Sequence, residues 1–167
     1  MKPVVTILMG SDSDYEVMKD AAEALKEFGL ACDVQVMSAH RSPEVVSEFA
    51  SKAQECGLKV IIAGAGGAAH LAGVVAAHTV LPVIGVPIPS TSLNGFDSLL
   101  STVQMPAGIP VATVAVGKPG ARNAGILAAQ IIALSDAGLS KKLSAFKKKL
   151  SEGVREKNAK LQQHIGQ

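Results

Sequence analysis

Short apolar runs recur along this chain, and each ends in a cluster of small, polar or turn-forming residues. The first, Val4–Met9, stops at Gly10-Ser11-Asp12-Ser13-Asp14. A run this short and this apolar suits a strand covered on both faces of a sheet. Val17, Met18, Ala21, Leu25 and Phe28 then share one helical face, with Gly29 as the stop. Cys32, Val34 and Val36 alternate with Asp33 and Gln35, which predicts a second strand. Ser42 is suited to cap, and Pro43 to begin, a helix with the stripe Val45, Val46, Phe49, Ala53 and Cys56, closed by Gly57. Val60–Ala63 predicts a third strand, followed by a glycine-rich loop and a small-residue helix to about His78. Val83–Val86 and Val111–Val116 complete five strands, with a short helix near 95–103 and an almost uncharged one at 121–135.

Strands alternating with helices imply parallel βαβ units. The expected fold is α/β, a three-layer sandwich with a five-stranded parallel sheet in flavodoxin-like order. At 167 residues the chain suits a single domain, with a core over 3–135 and a C-terminal helical extension over 139–164. In the extension Leu139, Leu143, Phe146, Leu150, Val154 and Leu161 recur at helical spacing. Such an amphipathic helix needs a surface for its stripe, either its own domain or a neighbouring subunit. In open parallel sheets ligands bind beyond the carboxyl ends of the strands, near the point where strand order reverses. The loops after strands one, two and three all fall at that edge.

Composition narrows the function. Charged residues are 18% and hydrophobic ones 48%, which excludes a disordered chain. Aromatics are 3%, with no Trp, against a reader of single-stranded nucleic acid by base stacking. Residues 1–137 carry 8 basic and 12 acidic side chains, while 138–167 carry 8 and 2, so the tail supplies the basicity. A solvated helix face explains those lysines better than nucleic-acid binding does. No formal charge occurs between Val60 and Phe96, yet glycines and prolines interrupt the stretch too often for a membrane span. That much apolar surface on a small chain predicts a homo-oligomer. Cys32 and Cys56 form no disulfide framework, and the first apolar run is too short for a signal-peptide core, so a cytoplasmic protein is expected.

Two loops combine chemistry with position. Gly10–Asp14 offers hydroxyls and backbone N–H groups at a helix start, a setting that favours anions, although plain capping explains part of it. Ser38-Ala39-His40-Arg41 pairs the usual acid–base side chain of neutral pH with a guanidinium suited to phosphate. Gly64-Ala65-Gly66-Gly67-Ala68-Ala69 fits a dinucleotide fingerprint in its glycines alone: Ile84 stands where an acid should hold the ribose. What remains is a small-residue strip that a flat ligand can approach closely, ending at His70. No phosphate-binding P-loop, nucleophile elbow or metal-ligand spacing occurs. Lys118-Pro119-Gly120-Ala121-Arg122-Asn123 reads as a solvated turn, with a subunit or ligand contact as the alternative.

Taken together, Gly10–Asp14, Ser38–Pro43, Ala65–Leu71, Gly85-Val86-Pro87 and Gln104-Met105-Pro106 resemble the class I N5-carboxyaminoimidazole ribonucleotide mutases of bacterial purine biosynthesis, over residues 3 to 135. The resemblance implies an isomerisation without ATP, cofactor or metal, in which a carboxylate moves from the exocyclic nitrogen to ring carbon 4, and it implies an octamer. It puts the catalytic role on His40. Phosphate and ribose contacts fall on Ser11, Ser13, Asp14, Ser38 and Arg41, and the base-facing loop on Ala65, Gly66, Gly67, His70 and Leu71. Tyr15, Ser42 and Ala72 depart from the family's usual Trp, Thr and Pro. The alternatives are a class II-type carboxylase that adds carbon dioxide to aminoimidazole ribonucleotide, whose third loop differs, and a non-catalytic nucleotide-binding module.

Overall fold

The structure, a computed structural model, describes residues 2–166. The chain divides into two compact units, one up to Ile131 and one from Ile132 onward. The first holds a five-stranded, all-parallel sheet: β1 (Val5–Met9), β2 (Cys32–Val36), β3 (Val60–Gly66), β4 (Val83–Ile88) and β5 (Ala112–Thr113). Their spatial order is β2-β1-β3-β4-β5, the expected flavodoxin-like arrangement. Between successive strands run α1 (Tyr15–Phe28), α2 (Pro43–Lys52), α3 (Leu71–His78) and α4 (Phe96–Val103), and α5 (Lys118–Ala133) follows β5.

Alternate side chains on the strands sort the helices into two layers. Leu8, Ile61 and Ala63 pack with Val46 and Ala50 of α2 and with Leu71, Ala72 and Val75 of α3. Gly85 admits Thr102 of α4 and Ala72 onto that same face. On the other face Gly64 leaves room for Met18 of α1, and Gly125 brings α5 close to Ala21 and Ala24 of α1. The strand core is apolar and closed: Val5, Ile7, Leu8, Ile61, Ile62 and Ile84 are fully buried.

Several expected details differ. Val111–Val116 yields only the two-residue β5. Gly85 and Pro87 turn their carbonyls toward this segment, accepting from Val114 and Gly117. A parallel strand presents N–H and C=O of one residue to the same side, so Pro87 faces β5 with no donor to extend the ladder. The stripe of α2 is rotated: Val46, Ala50 and Ala53 are buried, whereas Val45 and Cys56 are exposed. Ser42 precedes α2 but makes no side-chain cap; its hydroxyl donates instead to the Ser38 carbonyl. β2 is an edge strand with Val34 and Val36 exposed. Lys118 and Arg122 lie inside α5, and Arg122 forms a two-pronged ion pair with Glu27 of α1 rather than sitting in a solvated turn.

The second unit is dominated by α6 (Ala137–Ile165), capped where the Asp136 carboxylate accepts from Leu139 N–H at 2.9 Å. Leu139 and Leu143 are buried, while Leu150, Val154 and Leu161 of the same stripe are exposed. Among the described residues no helix is long and apolar enough to cross a membrane.

Candidate active site

β1 and β3 lie side by side, but the chain passes from β1 outward to β2 before returning to β3. That reversal opens a crevice at the carboxyl ends of the strands. A cavity of about 450 Å³ occupies it, lined by Gly10, Ser11, Ser13 and Asp14 after β1, by Ser38–Arg41 after β2, and by Ala65, Gly66, Ala68, His70 and Leu71 after β3.

The first loop is held by its own side chains. Ser11 Oγ accepts from Ser13 N–H, and the Asp14 carboxylate accepts from Ser11 N–H at 3.2 Å, a reciprocal capping box around a single 3₁₀ turn. Asp14 is buried, and burial pushes its carboxyl above the usual range; hydrogen bonds from Ser11 and Gly10 oppose this, and neighbouring Asp12 adds to it. Ser11 and Ser13 hydroxyls are linked at 2.9 Å. The Asp14 and Asp12 carboxylates thus occupy the N–H groups of Ser11 and Ser13, which leaves the serine hydroxyls as the loop's polar face toward the cavity.

The second loop is tied to the first. Arg41 Nη2 donates to the Gly10 carbonyl at 3.2 Å, and Arg41 N–H donates to Ser38 Oγ at 3.1 Å. Ser42 Oγ in turn accepts from Ser38 N–H at 3.2 Å. The Ser42 hydroxyl thus shapes this loop instead of capping α2. His40 and His70, thirty residues apart in sequence, meet across the cavity: His40 Nε2 lies 2.8 Å from His70 Nδ1, with the rings edge to face. At this separation one ring donates and the other accepts, and both rings are exposed.

Of the residues expected at the site, His40, Ser11, Ser13, Asp14, Ser38, Arg41, Ala65, Gly66, His70 and Leu71 converge on this cavity. Gly67 does not line it; with φ at +61° it makes the turn that carries the third loop back toward α3. Ser90, which also lines the cavity, escaped the sequence reading. Its position just beyond β4 was the available signal, because the same strand-end rule that marks the first three loops also marks the fourth. Among the described residues no three His, Cys, Asp or Glu side chains gather as a metal site would require.

The AIR carboxylase family model matches residues 4–153, taking in all four strand-end loops. The chain belongs to that family. The N5-carboxyaminoimidazole ribonucleotide mutase of Mycobacterium leprae is 56% identical over 165 residues, 99% of this chain and 95% of the relative. The mutase of Bacillus subtilis is 54% identical over 161 residues, 96% of this chain and 99% of the relative. The crystal structure of Treponema denticola PurE superposes with a TM-score of 0.86 at 31% identity, covering 95% of this chain and 98% of that one. Within the AIR carboxylase family, then, this chain presents two loops joined by Arg41 and a third that brings a histidine to His40.

Proposed function

We propose that this chain is an N5-carboxyaminoimidazole ribonucleotide mutase of purine biosynthesis, with His40 as the general acid and base. The observation that carries the reading is the cavity at the strand-order reversal, where the exposed His40 meets His70 beside the Arg41 guanidinium and the serine hydroxyls of the first loop. The substrate is a carbamate on an electron-rich ring. His40 protonates the exocyclic nitrogen as its bond to the carboxyl carbon breaks, releasing carbon dioxide. Ring carbon 4 then attacks the carbon dioxide, and His40 takes back the proton that carbon 4 gives up. No net proton is consumed.

The demanding part is holding carbon dioxide beside carbon 4 and keeping water out, a task of proximity. Ala65 and Gly66 form a close wall because they carry no bulk. Arg41, Ser11, Ser13 and Ser38 grip the phosphate, remote from the chemistry, and Asp14 accepts from ribose hydroxyls. His70 and Leu71 face the base. The working enzyme is a cytoplasmic homo-octamer; exposed Val34, Val36, Phe96 and Leu100 support association of copies.

The test is a paired assay on purified protein without ATP or added metal. Product should form rapidly from N5-carboxyaminoimidazole ribonucleotide and not from aminoimidazole ribonucleotide with bicarbonate. Efficient turnover only of the second substrate would make the chain a carboxylase. Nucleotide binding with silence in both assays would make it a binding module.

A further inference from the structure

The third loop has little to hold it in shape. Between Gly67 and His70 the backbone closes on itself through bonds that span two residues: Ala69 N–H to Gly67 C=O at 2.9 Å and His70 N–H to Ala68 C=O at 2.8 Å. Such narrow closures are bent, and glycine and alanine side chains add no packing of their own. Ala69 is nevertheless buried, so its N–H needs a well-placed acceptor.

Ser101 on α4 supplies one. Its Oγ lies 3.0 Å from Ala69 N, sharing that N–H with the Gly67 carbonyl. As a donor, the Ser101 hydroxyl has the Asp97 carbonyl at 2.9 Å and the Ser98 carbonyl at 3.2 Å within its own helix, and the Gly67 carbonyl of the loop at 3.4 Å. This leaves a lone pair for Ala69. The start of α4 is itself pinned: Asp97 accepts from Thr91 Oγ1 at 2.6 Å, and the buried Ser98 hydroxyl reaches the Ile88 carbonyl at 3.0 Å. A connected path therefore runs from the end of β4 through α4 to Ala69, one residue from the histidine that meets His40.

We propose that Ser101, which does not line the cavity, is a positioning residue for the reaction: its hydroxyl holds the 67–70 loop so that His70 meets His40 and the small-residue wall stays closed. This rests on the mutase reading above. The phosphate contacts of that reading lie on the first two loops, so losing Ser101 separates turnover from binding. A displacement of about 1 Å at a reacting group costs up to ~100-fold in rate.

The experiment compares Ser101→Ala with Thr102→Val in the full chain. Thr102 is the neighbouring helix residue, and among the described residues its hydroxyl bonds only within α4, to the Ser98 carbonyl at 2.7 Å. Ser101→Ala should lower kcat by roughly 10- to 100-fold with KM nearly unchanged, and hydrogen–deuterium exchange in peptides covering 67–71 should accelerate. Thr102→Val should leave kcat and that exchange as in the wild type, whatever its effect on Tm. Unchanged exchange in Ser101→Ala overturns the proposal, as does an equal loss of kcat in both variants. If Ser101→Ala fails to fold, Ser101→Cys keeps the side chain's shape, slightly enlarged, with a much weaker acceptor and carries the same comparison. A wild-type chain that turns over no substrate sinks the mutase reading, while the exchange data still decide whether Ser101 holds the loop.

Discussion

Gly66 tests how tightly the third and fourth loops close the cavity. Its φ is not in the left-handed region, so replacing it by alanine carries only a steric penalty. The added Cβ would fall 2.7 Å from Ser90 Cβ, closer still to Ser90 Oγ, and 3.1 Å from the Ile88 carbonyl. Carbon atoms rest comfortably at ~3.5–4.0 Å, so Ser90 must retreat by about 1 Å. Overpacking of this kind costs ~1–3 kcal/mol. At this chain length each 1 kcal/mol lowers Tm by about 2–4 °C, giving a fall of roughly 2–12 °C for Gly66→Ala. Both residues line the cavity, so turnover should fall by up to ~100-fold as the wall shifts. Adding Ser90→Gly removes the colliding atoms. The double variant should recover most of the lost Tm, a coupling of at least ~1 kcal/mol measured by calorimetry and steady-state kinetics together. Additive losses, or a Gly66→Ala protein indistinguishable from wild type, would refute the reasoning.

Three further outcomes follow from other parts of the molecule. His40→Asn should bind the nucleotide as before, by titration calorimetry, while turnover drops by at least ~10²–10⁴-fold, the usual worth of an acid–base group. Asp14 has its pKa raised chiefly by burial, so its contribution favours the fold below the unfolded pKa and is lost as pH rises through the folded one. Asp14→Asn should accordingly gain Tm relative to wild type on going from acid to neutral pH, read as the variant's Tm minus the wild type's in thermal melts at each pH; a difference that falls with rising pH would contradict this. Arg122 and Glu27 are 40% and 49% exposed, so despite contacts of 2.9 and 3.1 Å Arg122→Ala should cost no more than ~1 kcal/mol, and less in high salt, by denaturant titration.

Most of the fold was legible because parallel strands covered on both faces leave a plain record. Val4–Met9 and Val60–Ala63 are apolar without alternation, and Gly29 stops α1 in the left-handed conformation its position suggests. The site was legible for a related reason: every strand-end loop lies on one edge, so His40 and His70 were bound to lie on the same rim. That they touch was not legible, because a 2.8 Å approach depends on how loop three bends after β3. The errors have local causes. Ser42 has the right residue type for a cap, but the Ser38 backbone competes for its hydroxyl. Gly67 belongs to the glycine-rich strip, yet its positive φ spends it on the turn. Only its place after β4 marks Ser90, which has no charged or acid–base neighbour in sequence to single it out. The length of β5 depended on a neighbour: the residue that cuts it short, Pro87, sits in β4.

That curtailed strand bears on how the molecule behaves in a crowded solution. An open sheet exposes unpaired N–H and C=O groups at each margin, and such a margin can template strands from other molecules into a growing fibril. With two paired residues, β5 offers an incoming strand almost no ladder to copy. Pro87, one strand in from that edge, thus limits the ladder the edge presents.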